Sequence, residues 1–434
     1  MKKKLLLGVS TACLATLALA SCGGGNSNEL KTMSMFGGAD AHAPAYEALI
    51  AEFEKENNID VKDNSAQADE TWKTGVISAF KSGNDPDVLF YFTGADAKPL
   101  VDGNYVVPVS EIRKAYPDYA KNIGDGVLDP YAVTLKGFVE GLFVNTDVLK
   151  AADLKAYADK ETWTWEDFLA VCDALKAKEV TPVALGAINV PHYWIEHLVF
   201  GMAGLENYKT IPAAADLKAA TGEGNTAADK WVKGLKMFNT LAERGVFGAT
   251  KGNQKEDVSS KQFKDGKAAM QLDGSWFAGQ MLPDKDGNVT VANHNNVKMI
   301  PFPAIPTSEG GSGKVNLQSG FTSGFFISRK AWNNPEKREA AVKFVEKMTC
   351  TSSVARFCKE AGGVPADASV VIDGLTPLQK SMNTMTARTQ VNSLPLSNMC
   401  KAGTFDTLVA AAPDYLLGKL DKIQAALEKF ASQQ

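Results

Sequence analysis

A chain of 434 residues with 45% hydrophobic and 22% charged side chains has the composition of a soluble globular protein and the length for two domains of common size. Its formal net charge is −4, and Lys2, Lys3 and Lys4 stand in a leader expected to be removed, which leaves the mature chain more acidic still. That argues against nucleic-acid binding, which favours a basic face.

The three lysines precede an uncharged run over 5–20, the n-region and h-region of a secretory signal. This run is shorter than the roughly twenty apolar residues of a membrane-spanning helix, so residues 1–21 read as a cleaved signal peptide. Leu19-Ala20-Ser21-Cys22 resembles the bacterial lipobox, which implies that Cys22 becomes the lipidated first residue of the mature protein. Residues 22–29, rich in Gly, Asn and Ser, form a flexible tether, and the folded body is expected from about residue 30.

Residues 31–36 read as a strand, 44–57 as an amphipathic helix carrying Tyr46, Leu49, Ile50 and Phe53, and 59–61 as a second strand. This β-loop-α-β opening predicts a parallel pair. A helix follows over 70–81. The turn Gly83-Asn84-Asp85-Pro86 then leads into a strand over 87–92 whose unbroken apolar run suits burial on both faces. Thr164-Trp165-Glu166-Asp167 has the form of a capping box, 181–185 reads as a strand, Pro191 precedes a helix opening His192-Tyr193-Trp194, and 229–242 is helical by its Trp231, Leu235 and Phe238 spacing.

The stretch 263–276 is the most informative. Gly266 is placed to stop a helix in a left-handed cap, Ala268-Ala269-Met270 starts a strand ending at Asp273, and Gly274 allows a sharp turn. Ser275 is expected to cap a new helix that starts at Trp276. A large aromatic therefore stands at the carboxyl end of a strand, where open α/β sheets bind ligands. Pro301, Pro303 and Pro306 suit an extended crossing between domains, 323–328 a strand, Pro335 the start of a helix, and 405–431 a helical tail.

Most catalytic and metal patterns fail on spacing. Gly310-Gly311-Ser312-Gly313-Lys314 lacks the earlier Gly and the following hydroxyl of a phosphate loop. His192 and His197 are one residue too far apart for two helical zinc ligands, and no G-x-S-x-G elbow is present. Cys172, Cys350, Cys358 and Cys400 remain after the leader leaves. On one helix Cys350 and Cys358 would stand roughly 12 Å apart, too far for a bridge, which leaves four buried thiols or a pairing such as Cys358 with Cys400.

Gly266, Ala268, Ala269, Met270, Gly274 and Trp276 resemble the G-x-A-A-M-x-x-x-G-x-W segment of the family 1 extracellular solute-binding proteins, the maltose-binding-protein type that serves bacterial ABC sugar importers. Pro86-Asp87-Val88, Asn145 with Asp147 in the segment 138–147, Thr164-Trp165 with Phe168, and the loop 362–365 resemble further family segments, in the family's order. The resemblance implies an α/β, two-lobed periplasmic-binding-protein type II fold with hinge-crossing strands at 138–141 and 299–303. Lobe I is expected over 30–137 and 302–348, lobe II over 138–301 and 349–434.

It also implies a carbohydrate ligand held between the lobes, with Trp276 stacked on a sugar ring, delivery to ABC importer permease subunits, a membrane anchor through the N-terminal lipid, a monomer, and neither cofactor nor catalysis. A sugar offers C–H faces to aromatic rings and hydroxyl edges to polar groups. The expected ligand-binding residues are accordingly the aromatics Trp276, Tyr193, Trp194, Phe36 and Tyr91, the polar groups Asp273, Asp40, Asp96 and Glu140, and Gly37 and Gly274. Two rival readings are a lipid-anchored glycan-cleaving enzyme and the same fold binding a polyamine, peptide or metal.

Overall fold

The computed structural model describes residues 29–38, 40, 42–68, 70–186, 191–248, 256–283 and 286–434. Cys22 and the leader lie outside the described residues. The chain builds two mixed sheets, each covered by helices on both faces.

The first sheet takes the order β2-β1-β3-β10-β4, from β1 (Glu29–Met33), β2 (Asp60–Asp63), β3 (Val88–Phe92), β4 (Val133–Thr134) and β10 (Ser323–Ile327). The expected parallel pair is β1 with β2, joined over the helix Ala43–Asn57, which buries Tyr46, Leu49, Ile50 and Phe53. β3 lies inside the sheet between β1 and β10. Its side chains alternate between two cores, Val88 and Phe90 on one face, Leu89 and Tyr91 on the other, which explains its unbroken apolar run.

The second sheet is organised by β5 (Lys136–Asn145), which pairs with β7 (Ala268–Gly274), β8 (Val297–Ile300), β9 (Asn316–Gly320) and β11 (Val364–Pro365). β6 (Thr181–Ala184) joins β7, and β12 (Val391–Ser393) joins β9. The helix Trp165–Ala177 starts with the expected capping box: Asp167 N–H donates to Thr164 Oγ1 at 3.0 Å, and Thr164 N–H donates back to Asp167 Oδ2 at 3.1 Å. Gly266 has φ of 71° after the helix Glu256–Lys264. The C-terminal helices, ending in Leu420–Ser432, bury Leu408, Tyr415, Ile423, Leu427 and Phe430 in the second core.

Several expectations need correction. Ser275 lies within a 3-10 helix, Ser275–Met281, instead of capping one, and its Oγ accepts from Val139 N–H at 3.4 Å. The proline run does not cross between lobes, because Phe302 packs among Trp165, Phe168 and Trp194, and Ile305 is buried in the same second-lobe core. The return crossing comes later, between β9 and β10. The helix Thr351–Ala361 belongs to the first lobe, since Val354, Phe357 and Cys358 fill its core beside Phe36 and Phe344. The boundaries expected at 301/302 and 348/349 therefore move: the second lobe keeps the chain through β9, and the first holds it from β10 to about Ile372, before Leu378 enters the second lobe. The four cysteines among the described residues are free thiols, Cys172, Cys358 and Cys400 buried and Cys350 half-buried.

Candidate functional site: a cleft between the lobes

The sheets face each other across a cavity of about 500 Å³. The first lobe supplies Lys73 from the helix Glu70–Lys81, Phe92 from the end of β3, Asp96 and Thr322. From the second lobe come Phe138 and Glu140 on β5, His192 and Tyr193 at the start of the helix His192–Lys209, Trp276, Ser397 and Asn398, and Phe405 and Asp406. At the rim the lobes touch: a Cβ added to Gly94 would stand 3.9 Å from the Asn398 carbonyl. A larger cavity of about 690 Å³ lies in the second lobe beside Glu206, Asp216 and Asp229, and no aromatic ring lines it.

The second-lobe wall of the cleft is aromatic. The half-buried Trp276 ring centroid lies 5.4 Å from that of Phe138 and 6.0 Å from that of Tyr193, and His192 stands 3.9 Å from Tyr193. Gly274 sits beneath the indole, where a Cβ would come within 2.2 Å of ring atoms. Its φ of −87° is ordinary, so glycine is required here for close approach and not for a turn. The opposite wall is polar. Lys73 Nζ lies 3.3 Å from Asp96 Oδ2 and 4.6 Å from the centre of the Phe92 ring, a cation held between a carboxylate and an aromatic face. Burial, followed by the charge of Lys73, pulls the His192 imidazole down to about 4, so it faces the cleft uncharged at neutral pH.

Beneath the aromatic wall lies a buried polar group. Glu140 is 3% exposed, and its Oε2 stands 3.5 Å from His197 Nε2 without hydrogen-bond geometry. Burial pushes the Glu140 carboxyl up to about 8. Glu196, fully buried, is pushed up by burial and then by the charge of Glu140. The same helix pins the cleft loop 395–398: Ser397 N–H donates to Glu196 Oε1 at 2.7 Å, and Leu396 N–H donates to Tyr208 Oη at 2.8 Å.

Of the expected residues, the cavity wall brings together Trp276, Tyr193, Asp96 and Glu140, with Gly274 as the support for the indole. The others lie elsewhere. Trp194 points into the second core against Phe238, Phe247 and Phe302. Phe36 packs on Phe90 at 4.5 Å inside the first core, and Tyr91 is buried beside Trp72. Asp273 faces away from the cleft, its carboxylate accepting from Gln271 Nε2 at 2.9 Å and Gly274 N–H at 2.7 Å. Asp40 accepts from His42 N–H at 2.8 Å, and Gly37 lies so close to the backbone of Ser65 and Ala66 that a Cβ would meet it at 2.5 Å.

Sequence reasoning missed Lys73, Phe92, Phe138, Thr322, Ser397, Asn398, Phe405 and Asp406 as cleft residues, and had considered His192 only as a metal ligand. Alternation along β3 gives no signal for Phe92, whose ring packs beside Tyr91 at 5.8 Å at the end of the strand. Nothing in the local sequence distinguishes 395–398 from any other loop.

Two α/β lobes with crossing strands and an aromatic-walled cleft between them define the two-lobed solute-binding class. The sequence profile of the bacterial extracellular solute-binding proteins matches residues 39–351, and the chain belongs to that family. It is 26% identical over 409 residues to the multiple sugar-binding protein of Streptococcus mutans serotype c, covering 87% of this chain and 86% of that protein. It is 23% identical over 383 residues to the maltodextrin-binding protein MdxE of Bacillus subtilis, covering 83% and 80%. A chitin oligosaccharide binding protein of known structure superposes with a TM-score of 0.75 at 21% identity, covering 93% of this chain and 98% of that one. The family and these relatives are binding proteins, not enzymes.

Proposed function

We propose that this protein captures a carbohydrate in the interlobe cleft, closes its lobes around it and presents it to an ABC importer, while a lipid on Cys22 holds it at the outer face of a membrane. The observation that carries the reading is the division of the cleft: Trp276, Phe138 and Tyr193 line one wall, and Lys73, Asp96 and Phe92 the other. Rings suit the C–H face of a sugar and the polar groups suit its hydroxyls, and a cavity near 500 Å³ falls within the roughly 300–1,000 Å³ usual for small-molecule sites. The names of the relatives, multiple sugar-binding and maltodextrin-binding, support the same ligand class.

Closure follows from differential contact. Each wall belongs to a different lobe, so a ligand that touches both favours the closed form. The crossings at Leu135 and at 321–322, with β11 beside them, are the proposed hinge, replacing 299–303. Binding without catalysis is part of the reading, and the ligand is expected back intact.

The test is thermal denaturation against a panel of mono- and oligosaccharides. A ligand at about 100 times its Kd stabilises the folded state by about 2.7 kcal/mol. A clear rise for one sugar series, with the sugar recovered unchanged, supports the reading. No rise for any sugar, or release of reducing ends, overturns it.

A further inference from the structure

We infer that Glu140 meets the bound solute as an uncharged carboxylic acid, donating a hydrogen bond to a ligand oxygen. The inference rests on the cleft being the carbohydrate site. Glu140 projects from β5 opposite Gly274, lines the cavity, and leaves Oε2 without a hydrogen bond among the described residues. Oε2 itself is enclosed beside His197, and a carboxyl nine-tenths buried at a cavity wall is costly unless a ligand or water completes it.

The surroundings decide its charge. From the helix His192–Lys209, Glu140 is faced by Glu196, His197 and Tyr208; β7 offers Gly274 and β9 Gln318, which bring no charge. His192 and Asp406 line the cavity from the same lobe, and across it stands Lys73 paired with Asp96. Among the described residues the base within reach is His197, fully enclosed, with neither ring nitrogen hydrogen-bonded, and burial lowers it to about 3. Glu196 is a second buried carboxyl, and two carboxyls together in a dry site resist ionising together. No described group supplies the cation that a Glu140 carboxylate needs.

A carboxylic acid offers one O–H donor and one carbonyl acceptor. It can therefore pair with a hydroxyl and also with a proton-free oxygen that a carboxylate would repel: a ring or glycosidic oxygen, or the carbonyl of an acetamido group. A carboxylate there would accept from hydroxyls alone.

Calorimetric titration of the whole protein with the tightest binder among maltotriose, raffinose and chitotriose, from pH 6 to 9, tests this. Glu140→Ala is expected to lose tenfold or more at pH 6. Glu140→Gln, which keeps a donor beside an acceptor, is expected to recover most of that loss. Wild-type affinity should hold below pH 7 and fall up to tenfold per unit as pH rises through about 8, a slope that Glu140→Gln removes. At pH 6.5 the infrared difference spectrum between wild type and Glu140→Gln should contain a carboxylic-acid carbonyl band, which reads the proton without any ligand. Equal losses in Gln and Ala, an unchanged pH slope in Gln, or a carboxylate band in place of the acid overturns the inference. If Trp276→Ala and both Glu140 variants bind like wild type, or no sugar binds, the cleft reading fails and takes the ligand contact with it, and the infrared band then reports on the proton alone.

Discussion

Removing the indole of Trp276 is the sharpest probe of the cleft. A fully covered aromatic side chain buries about 150–250 Å², and Trp276, with roughly a third of its surface free beside Phe138 and Tyr193, leaves about 50–80 Å² for a ligand. At about 25 cal/mol per Å² that area is worth about 1.3–2 kcal/mol, so Trp276→Ala should weaken sugar binding by about tenfold to thirtyfold. Gly274→Ala offers an independent route to the same loss. Its methyl would intrude to 2.2 Å from the indole and force the ring off its seat while leaving it in the protein. In the double variant the methyl added at position 274 has no ring to displace, so the two losses should combine to less than their sum. Isothermal titration of wild type, both single variants and the double variant measures this, with circular dichroism to check the fold. Affinities within twofold of wild type for Trp276→Ala, or strictly additive losses, would falsify stacking on this ring.

Three further outcomes are expected. Solution scattering should show a smaller radius of gyration with ligand bound, and a spin-label pair spanning the cleft should shorten; binding with neither change rules out closure. Glu140 keeps its proton to about 8 when folded but loses it near 4.5 when unfolded, so its contribution to stability is complete below pH 4.5 and lost as pH rises through 8. The shift amounts to about 4–5 kcal/mol as an upper bound, and chemical denaturation should show Glu140→Gln gaining on wild type between pH 5 and pH 8; a gap that stays constant with pH refutes the burial argument. Cys22→Ser should abolish incorporation of a fatty-acid label in bacterial cells, and equal labelling of mutant and wild type removes the lipid anchor from the proposal.

The elements that carry the site were legible, but the faces they turn to the cleft were only partly so. A strand buried on both sides leaves no polar stripe to mark its orientation. On β3 the sequence reading selected Tyr91, whereas Phe92 lines the cavity. The helix His192–Lys209 has the same ambiguity, because residues 193–203 are all buried: Tyr193 faces the cleft and Trp194 the core, with no amphipathic contrast between them. Trp276 was identifiable because Gly266, Ala268, Ala269, Met270 and Gly274 before it match the family's segment. Ser397, Asn398 and Phe405 were not, because Glu196 and Tyr208, nearly two hundred residues earlier in the chain, hold their loop in place.

The misplaced hinge has a related cause. A proline run indicates extended chain, but it does not say which core the intervening side chains enter, and Phe302 enters the second. The feature that locates the crossing is β5. Its first residues, Lys136 and Gly137, pair with β11, and Phe138 and Val139 pair with β9 just before that strand leaves for the first lobe. Phe138 and Glu140 on the same strand line the cavity. The proposed hinge and the cavity floor therefore share one continuous backbone, and a rotation taken up at Leu135–Gly137 would change how the first-lobe wall, Lys73, Phe92 and Asp96, approaches residues only a few positions away. With the proposed pivot beside the floor, a small angular change would suffice to bring the polar wall against a solute on the aromatic one, while β7 and β8, paired to the rest of β5, would keep Trp276 and its support still.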